Sequence, residues 1–153
     1  MPQLVKGGKH VFGWSRVGSG GEIQIPPEAL SEYGFQEGET LVLVPGSRTS
    51  GGFGLGSWES VQGSPLGGAL SAGVTDGDPG LALGKAFEHG GKTYAWLALS
   101  NGGVAIPPET LARYGARVGD PLLVIRGSGL ALGFAVRGPI VDEARSHPEL
   151  GEF

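Results

Sequence analysis

The chain has 153 residues, enough for one compact domain or two small interlocked halves that bury a shared core. It has no cysteine, which excludes a disulfide framework and a thiolate metal site and makes the cytoplasm the expected setting. Lys and Arg number 11 against 15 Asp and Glu, a formal charge of −4, which argues against a broadly basic surface for nucleic acid or anionic membrane but allows a local patch.

No charged-then-apolar leader and no unbroken apolar span of bilayer length is present, so a soluble protein is expected. The 31 glycines and 11 prolines predict short strands and tight turns rather than long helices. Met1 to Lys6 is a lead-in ending at the Gly7-Gly8 turn. His10 to Val17 alternates as a strand should, with Val11, Phe12 and Trp14 supplying bulk. Gly18-Ser19-Gly20-Gly21 predicts a hairpin turn, and the returning strand puts Ile23 and Ile25 on one side and Glu22 and Gln24 on the other. Pro26 stops that strand, and Pro27 opens a short helix with Ala29, Leu30 and Tyr33 on its apolar face and Gly34 as its cap. Thr40 to Val44 is a buried-strand run, and Phe53 and Leu55 belong to a glycine-diluted strand.

Gly56 to about Gly84 is dense in Gly, Ser, Ala and Pro, with turn formers concentrated at Thr75 to Gly80, and is expected to be a connector. The pattern then restarts: a strand at Thr93 to Leu99, the Asn101-Gly102-Gly103 turn, Val104 to Ile106, a helix from Pro107 to Gly115, and strands at Leu122 to Ile125 and Gly133 to Val136. Ile140 to Leu150 has the composition of a short terminal helix, with Ile140, Val141 and Ala144 on one face.

The restart is a repeat. Ile25-Pro26-Pro27-Glu28-Ala29-Leu30-Ser31-Glu32-Tyr33-Gly34 recurs as Ile106-Pro107-Pro108-Glu109-Thr110-Leu111-Ala112-Arg113-Tyr114-Gly115, and the match runs without a gap through Gly46-Ser47/Gly127-Ser128 to Gly52-Phe53/Gly133-Phe134. Two copies are too few for a solenoid, so a pseudo-symmetric pair is expected. The division is 7–56 for the first half, 57–84 for the connector, 85–137 for the second half and 138–153 for the tail.

Gly21 to Pro26 through Gly38-Glu39-Thr40-Leu41-Val42-Leu43-Val44, and again Gly102 to Pro107 through Gly119-Asp120-Pro121-Leu122-Leu123-Val124-Ile125, resemble the AbrB/MazE/SpoVT-like DNA-binding domain. The resemblance implies a mainly β fold with short helices, a swapped-hairpin β-barrel formed within one chain by two AbrB-like halves. It further implies a non-enzymatic, DNA-binding, transcription-regulator-like protein. The alternative is an interaction or ligand-binding module of the same fold that has lost DNA binding and takes an antitoxin-like protein partner or a small molecule. The pseudo-dimer is internal, and further pairing of chains is left open.

Family DNA binders carry arginine after the turn glycine, where this chain has Glu22 and Gly103. The helices offer Ser31-Glu32 and Ala112-Arg113 where basic pairs are common, and Arg16 is matched by Ala98. The remaining candidates for a DNA-binding patch are Lys6, Lys9, His10, Arg16, Lys85 and Lys92. No cofactor is expected. His10, His89 and His147 lack metal-ligand spacing, and Asp76-Gly77-Asp78 lacks the downstream ligands of a calcium loop. Asp142, Ser146 and His147 include triad residue types within one short segment, and no nucleophile elbow accompanies them, so no enzyme is expected. Trp14/Trp96, Tyr33/Tyr114 and Phe53/Phe134 are expected core aromatics. Gly46-Ser47 and Gly127-Ser128 are expected turns, with a small polar pocket as the other reading.

Overall fold

A computed structural model describes residues 10–46, 49–58, 84, 86–89, 91–127 and 131–153. The expected lead-in, almost all of the connector, and Ser47 and Ser128 lie outside them. The fold is mainly β, with nine strands and three short helices among the described residues. In chain order they are β1 (Val11–Arg16), β2 (Glu22–Gln24), α1 (Pro27–Tyr33), β3 (Thr40–Pro45), β4 (Phe53–Ser57), β5 (Phe87–His89), β6 (Lys92–Ala98), β7 (Gly103–Ala105), α2 (Pro108–Arg113), β8 (Pro121–Arg126), β9 (Leu132–Ala135) and α3 (Pro139–Arg145).

Six strands in the order β1-β8-β9-β4-β3-β6 form an antiparallel sheet, and β5 pairs along β6 as the seventh. The sheet is open: among the described residues its first and last strands do not pair, so the closed ring expected of a barrel is not seen. A separate two-stranded ribbon joins β2 to β7. Every strand of the first repeat pairs with one from the second: β1 with β8, β2 with β7, β3 with β6, β4 with β9. Exchanging repeat-equivalent strands leaves the six-strand order unchanged. The centres of exchange are visible in the register, where Ile23 faces Val104 and Phe53 faces Phe134.

The expected β1–β2 hairpin is therefore only a turn. Gly18 N–H donates to Glu22 O at 2.8 Å, and the chain then leaves for β7. A three-residue β2 has too little ladder to hold a hairpin alone, and pairing across the repeat buries Ile23 against Val104.

The helices begin as their sequence dictates. Proline occupies the first turn of each, where its missing N–H has no helical partner. Gly34 ends α1 in the left-handed region at φ 67°, and Phe35 N–H closes back on Leu30 O at 3.0 Å. The terminal helix stops at Arg145, short of the expected Leu150, with Ser146 and His147 donating to Glu143 and Ala144 carbonyls.

One core lies on the inner face. It draws on β1 to β4 and β6 to β9 and on both repeat helices, including Phe12, Leu43, Phe53, Leu97, Leu111 and Phe134. Burying each such side chain contributes roughly 1.5–3 kcal/mol. A second cluster forms on the outer face, where Val141 and Ala144 of α3 cover Val11, Leu123, Ile125 and Ala135. Burial on both faces explains why the β8 run is continuously apolar rather than alternating. In β1 a register shift between Val11 and Gly13 lets Val11 and Trp14 serve the outer cluster while Phe12 stays inside.

Candidate functional site

Three of the six DNA-binding candidates, Lys6, Lys9 and Lys85, lie outside the described residues. The other three are not brought together. His10 immediately precedes β1 and Arg16 ends it. Lys92 opens β6, which four strands separate from β1 across the sheet. The His10 carbonyl accepts Arg126 N–H at 2.9 Å, while its Nδ1 is buried without a hydrogen-bond partner among the described residues.

Arg16 is engaged. Its Nε donates to Glu152 Oε1 and a terminal nitrogen donates to Gly119 O, both at 2.9 Å. Other arginines are matched in the same way. Arg126 forms a two-point pair with Glu32, and this hydrogen bonding is the main reason the Glu32 carboxyl is held below its usual range and the guanidinium above its own. Arg113 pairs with Glu88 and also reaches Thr93 Oγ1 at 3.3 Å. These partners are distant in sequence, so no local pattern could have revealed them.

The β2–β7 ribbon exposes Glu22, Gln24 and Ala105. Glu22 Oε2 accepts Gly20 N–H at 2.7 Å, which ties the carboxylate to its own turn. Glu37 accepts the backbone N–H groups of Asn101 and Gly102, clamping the turn of the opposite repeat. Glu39 and Asp120, at matching positions, accept the N–H of Gln36 at 2.6 Å and of Arg117 at 2.9 Å. Much of the acidic surface is thus turn structure, which the Gly-Glu and Gly-Asp spacing foreshadowed.

The terminal segment makes no triad. Ser146 Oγ donates to Glu143 O at 2.7 Å, and the His147 ring meets Glu149 and Glu143, not Asp142. Among the described residues no group of three or more His, Cys, Asp or Glu gathers as a metal site. No helix among them is long and apolar enough to cross a membrane.

Two hollows adjoin the β3–β4 connection. One, of about 180 Å³, is lined on the outer face by Val44, Gly54, Ile125, Ala131, Gly133 and Ala135, with Phe53 and Phe134 also at its wall. Those two rings stack with centroids 5.0 Å apart. The other is an open crevice of about 340 Å³ lined by Pro45, Gly46, Gly52, Arg113, Tyr114 and Arg137. Burial raises the Tyr114 phenol well above its usual range, and its hydroxyl donates to Thr93 O at 2.8 Å. Gly46 and Gly127 both line the first hollow, so it abuts the positions where a pocket was one reading of the sequence; the serines themselves lie outside the described residues.

Comparison with protein-family models, curated proteins and solved structures finds no match for this chain.

Proposed function

We propose that this chain is a duplicated, AbrB-like swapped-hairpin module that binds DNA in a transcription-regulator-like role, without catalysis. The observation that supports this most is the interleaving of the two repeats, in which β1, β2, β3 and β4 each pair with a strand of the other copy. The resembling family builds that exchange from two chains, and here a single chain carries both copies. Phosphate contacts would come from Lys92, His10 and Arg16, together with Lys6, Lys9 and Lys85.

The test is fluorescence anisotropy of mixed-sequence duplex DNA titrated with the protein at low and then physiological salt. Binding is expected to weaken along a log–log slope of about 0.9 per phosphate contact. Arg16→Gln with Lys92→Gln is expected to lower that slope by about 2, and Arg145→Gln to leave it unchanged. Absence of binding at low salt would overturn the DNA reading.

A second reading has its own support. Glu22 stands at the family's arginine position, and Arg16, Arg113 and Arg126 each face a carboxylate. On this reading the module has left DNA and takes a protein partner or a small molecule.

A further inference from the structure

Arg16 ends β1 and has no charged counterpart in the other repeat, where Ala98 stands. Its carboxylate partner comes from outside the repeats. Glu152 belongs to the segment that follows α3, whereas Glu32 and Glu88, which hold Arg126 and Arg113, belong to the repeats themselves. The duplicated module supplies the cation, and an added segment brings an anion to it.

That segment has a prepared seat. Trp14 N–H donates to Gly151 O at 2.8 Å and Trp14 O accepts Phe153 N–H at 2.7 Å, which lays Glu152 parallel to β1. Gly13 makes the room: a Cβ there would lie 2.6 Å from Gly151 O and 2.7 Å from the Phe153 ring. The seat is nonetheless shallow. Gly151, Glu152 and Phe153 are all exposed, and the Arg16 and Glu152 side chains keep 55% and 50% of their surface in solvent. An exposed ion pair of this kind shifts an equilibrium by at most about fivefold.

A second guanidinium lies close by. Arg16 also donates to Gly119 O at 2.9 Å, and Gly119 N–H donates to Val17 O at 2.8 Å, so this turn is fixed against the end of β1. Arg117 is exposed two residues away in the same turn. The Asp120 carboxylate accepts its backbone N–H at 2.9 Å, while its guanidinium has no partner among the described residues. Val118 beside it is 44% exposed, so the turn stands clear of the body.

We propose that Arg16 and Arg117 form a phosphate-binding end of the module and that the terminal segment guards it, Glu152 holding the place of a phosphate until DNA displaces it. This rests on the DNA reading and adds to it one contact, Arg117, and a means of regulation. A guanidinium offers its N–H fork to carboxylate and phosphate oxygens alike, so Glu152 marks where an oxyanion sits. DNA prevails because a phosphate contact also releases condensed counterions, which an exposed carboxylate on the chain does not.

The experiment is anisotropy of mixed-sequence duplex DNA with the full chain, at low salt and along a salt series. Glu152→Gln is expected to tighten binding about threefold. Glu109→Gln, the same charge change at the exposed start of α2, should leave it nearly unchanged. In an Arg16→Gln background Glu152→Gln should give no gain. Arg117→Gln is expected to lower the salt slope by about 0.9. Amide hydrogen exchange at Phe153 should quicken when DNA binds. Equal effects of Glu152→Gln and Glu109→Gln, a gain that persists in the Arg16→Gln background, or unaltered exchange at Phe153 would each overturn the guard. An unchanged slope for Arg117→Gln would overturn the shared phosphate-binding end. In all these cases wild-type binding leaves the DNA reading standing. If neither the wild type nor Glu152→Gln binds at low salt, the DNA reading falls and this inference falls with it.

Discussion

Gly21 and Gly34 both adopt positive φ, 85° and 67°, yet they are held there by different forces. A Cβ on Gly34 would meet nothing within 4 Å, so only the left-handed backbone opposes a side chain. At Gly21 the same Cβ would fall 1.9 Å from the carbonyl oxygen of Ile106, in the other repeat. Gly21 O also accepts Ile106 N–H at 2.9 Å, so the two backbones cannot separate without losing the crossing. Gly34→Ala is therefore expected to cost about 1–2 kcal/mol. Gly21→Ala is expected to cost more than about 4 kcal/mol or prevent folding. Urea denaturation measures both, and equal losses would mean that the close approach between repeats does not hold the ribbon in place.

At the scale of elements, the terminal segment behaves as a strap. After α3 it runs back along β1, where Trp14 N–H donates to Gly151 O at 2.8 Å and Phe153 N–H donates to Trp14 O at 2.7 Å. His147 holds the bend: Nδ1 lies 2.6 Å from Glu149 and Nε2 3.1 Å from Glu143. The Glu149 hydrogen bond, then that of Glu143, raises the imidazole above its ordinary 6.5. The other charges near on this helix, Asp142 and Arg145, face each other at 3.6 Å. A raised histidine stabilises fully below 6.5, and that contribution is lost as pH rises through the folded value. Glu149 is depressed chiefly by its own backbone hydrogen bond and then by His147, so its contribution is present above 4.5 and fades as pH falls. Both operate between those values. His147→Gln should accordingly lower the melting temperature near pH ~5.5 and leave it unchanged near pH ~9. Scanning calorimetry at the two pH values checks this, and a pH-independent difference would sink the clasp.

On the scale of the whole molecule, each of β1 to β4 in the first repeat pairs with a strand of the second. A separated repeat would expose the inner face of its strands and their unpaired edges. Residues 1–83 and 84–153 produced apart are expected to be unfolded or to self-associate, and to regain the native circular dichroism spectrum when combined. Size-exclusion chromatography with circular dichroism decides it. A folded, monomeric half would refute the exchange within the chain.

Local chemistry was legible from the residues alone. The Ile-Pro-Pro strand stop and helix start, the glycine cap at Gly34, the apolar runs of β3 and β8 and the aromatic pair Phe53/Phe134 all rest on constraints acting within a few positions or on the repeat itself. The short β5 escaped because three residues carry no usable period, and α3 ends early because Ser146 and His147 turn back on its last carbonyls. Tertiary structure alone decided which strand each strand pairs with, that the sheet stays open among the described residues, and that Arg16, Arg113 and Arg126 meet carboxylates. The reason is range: torsional preference and periodicity act along the chain, whereas ladder partners and ion pairs are chosen by burial and register between segments that only the fold brings together.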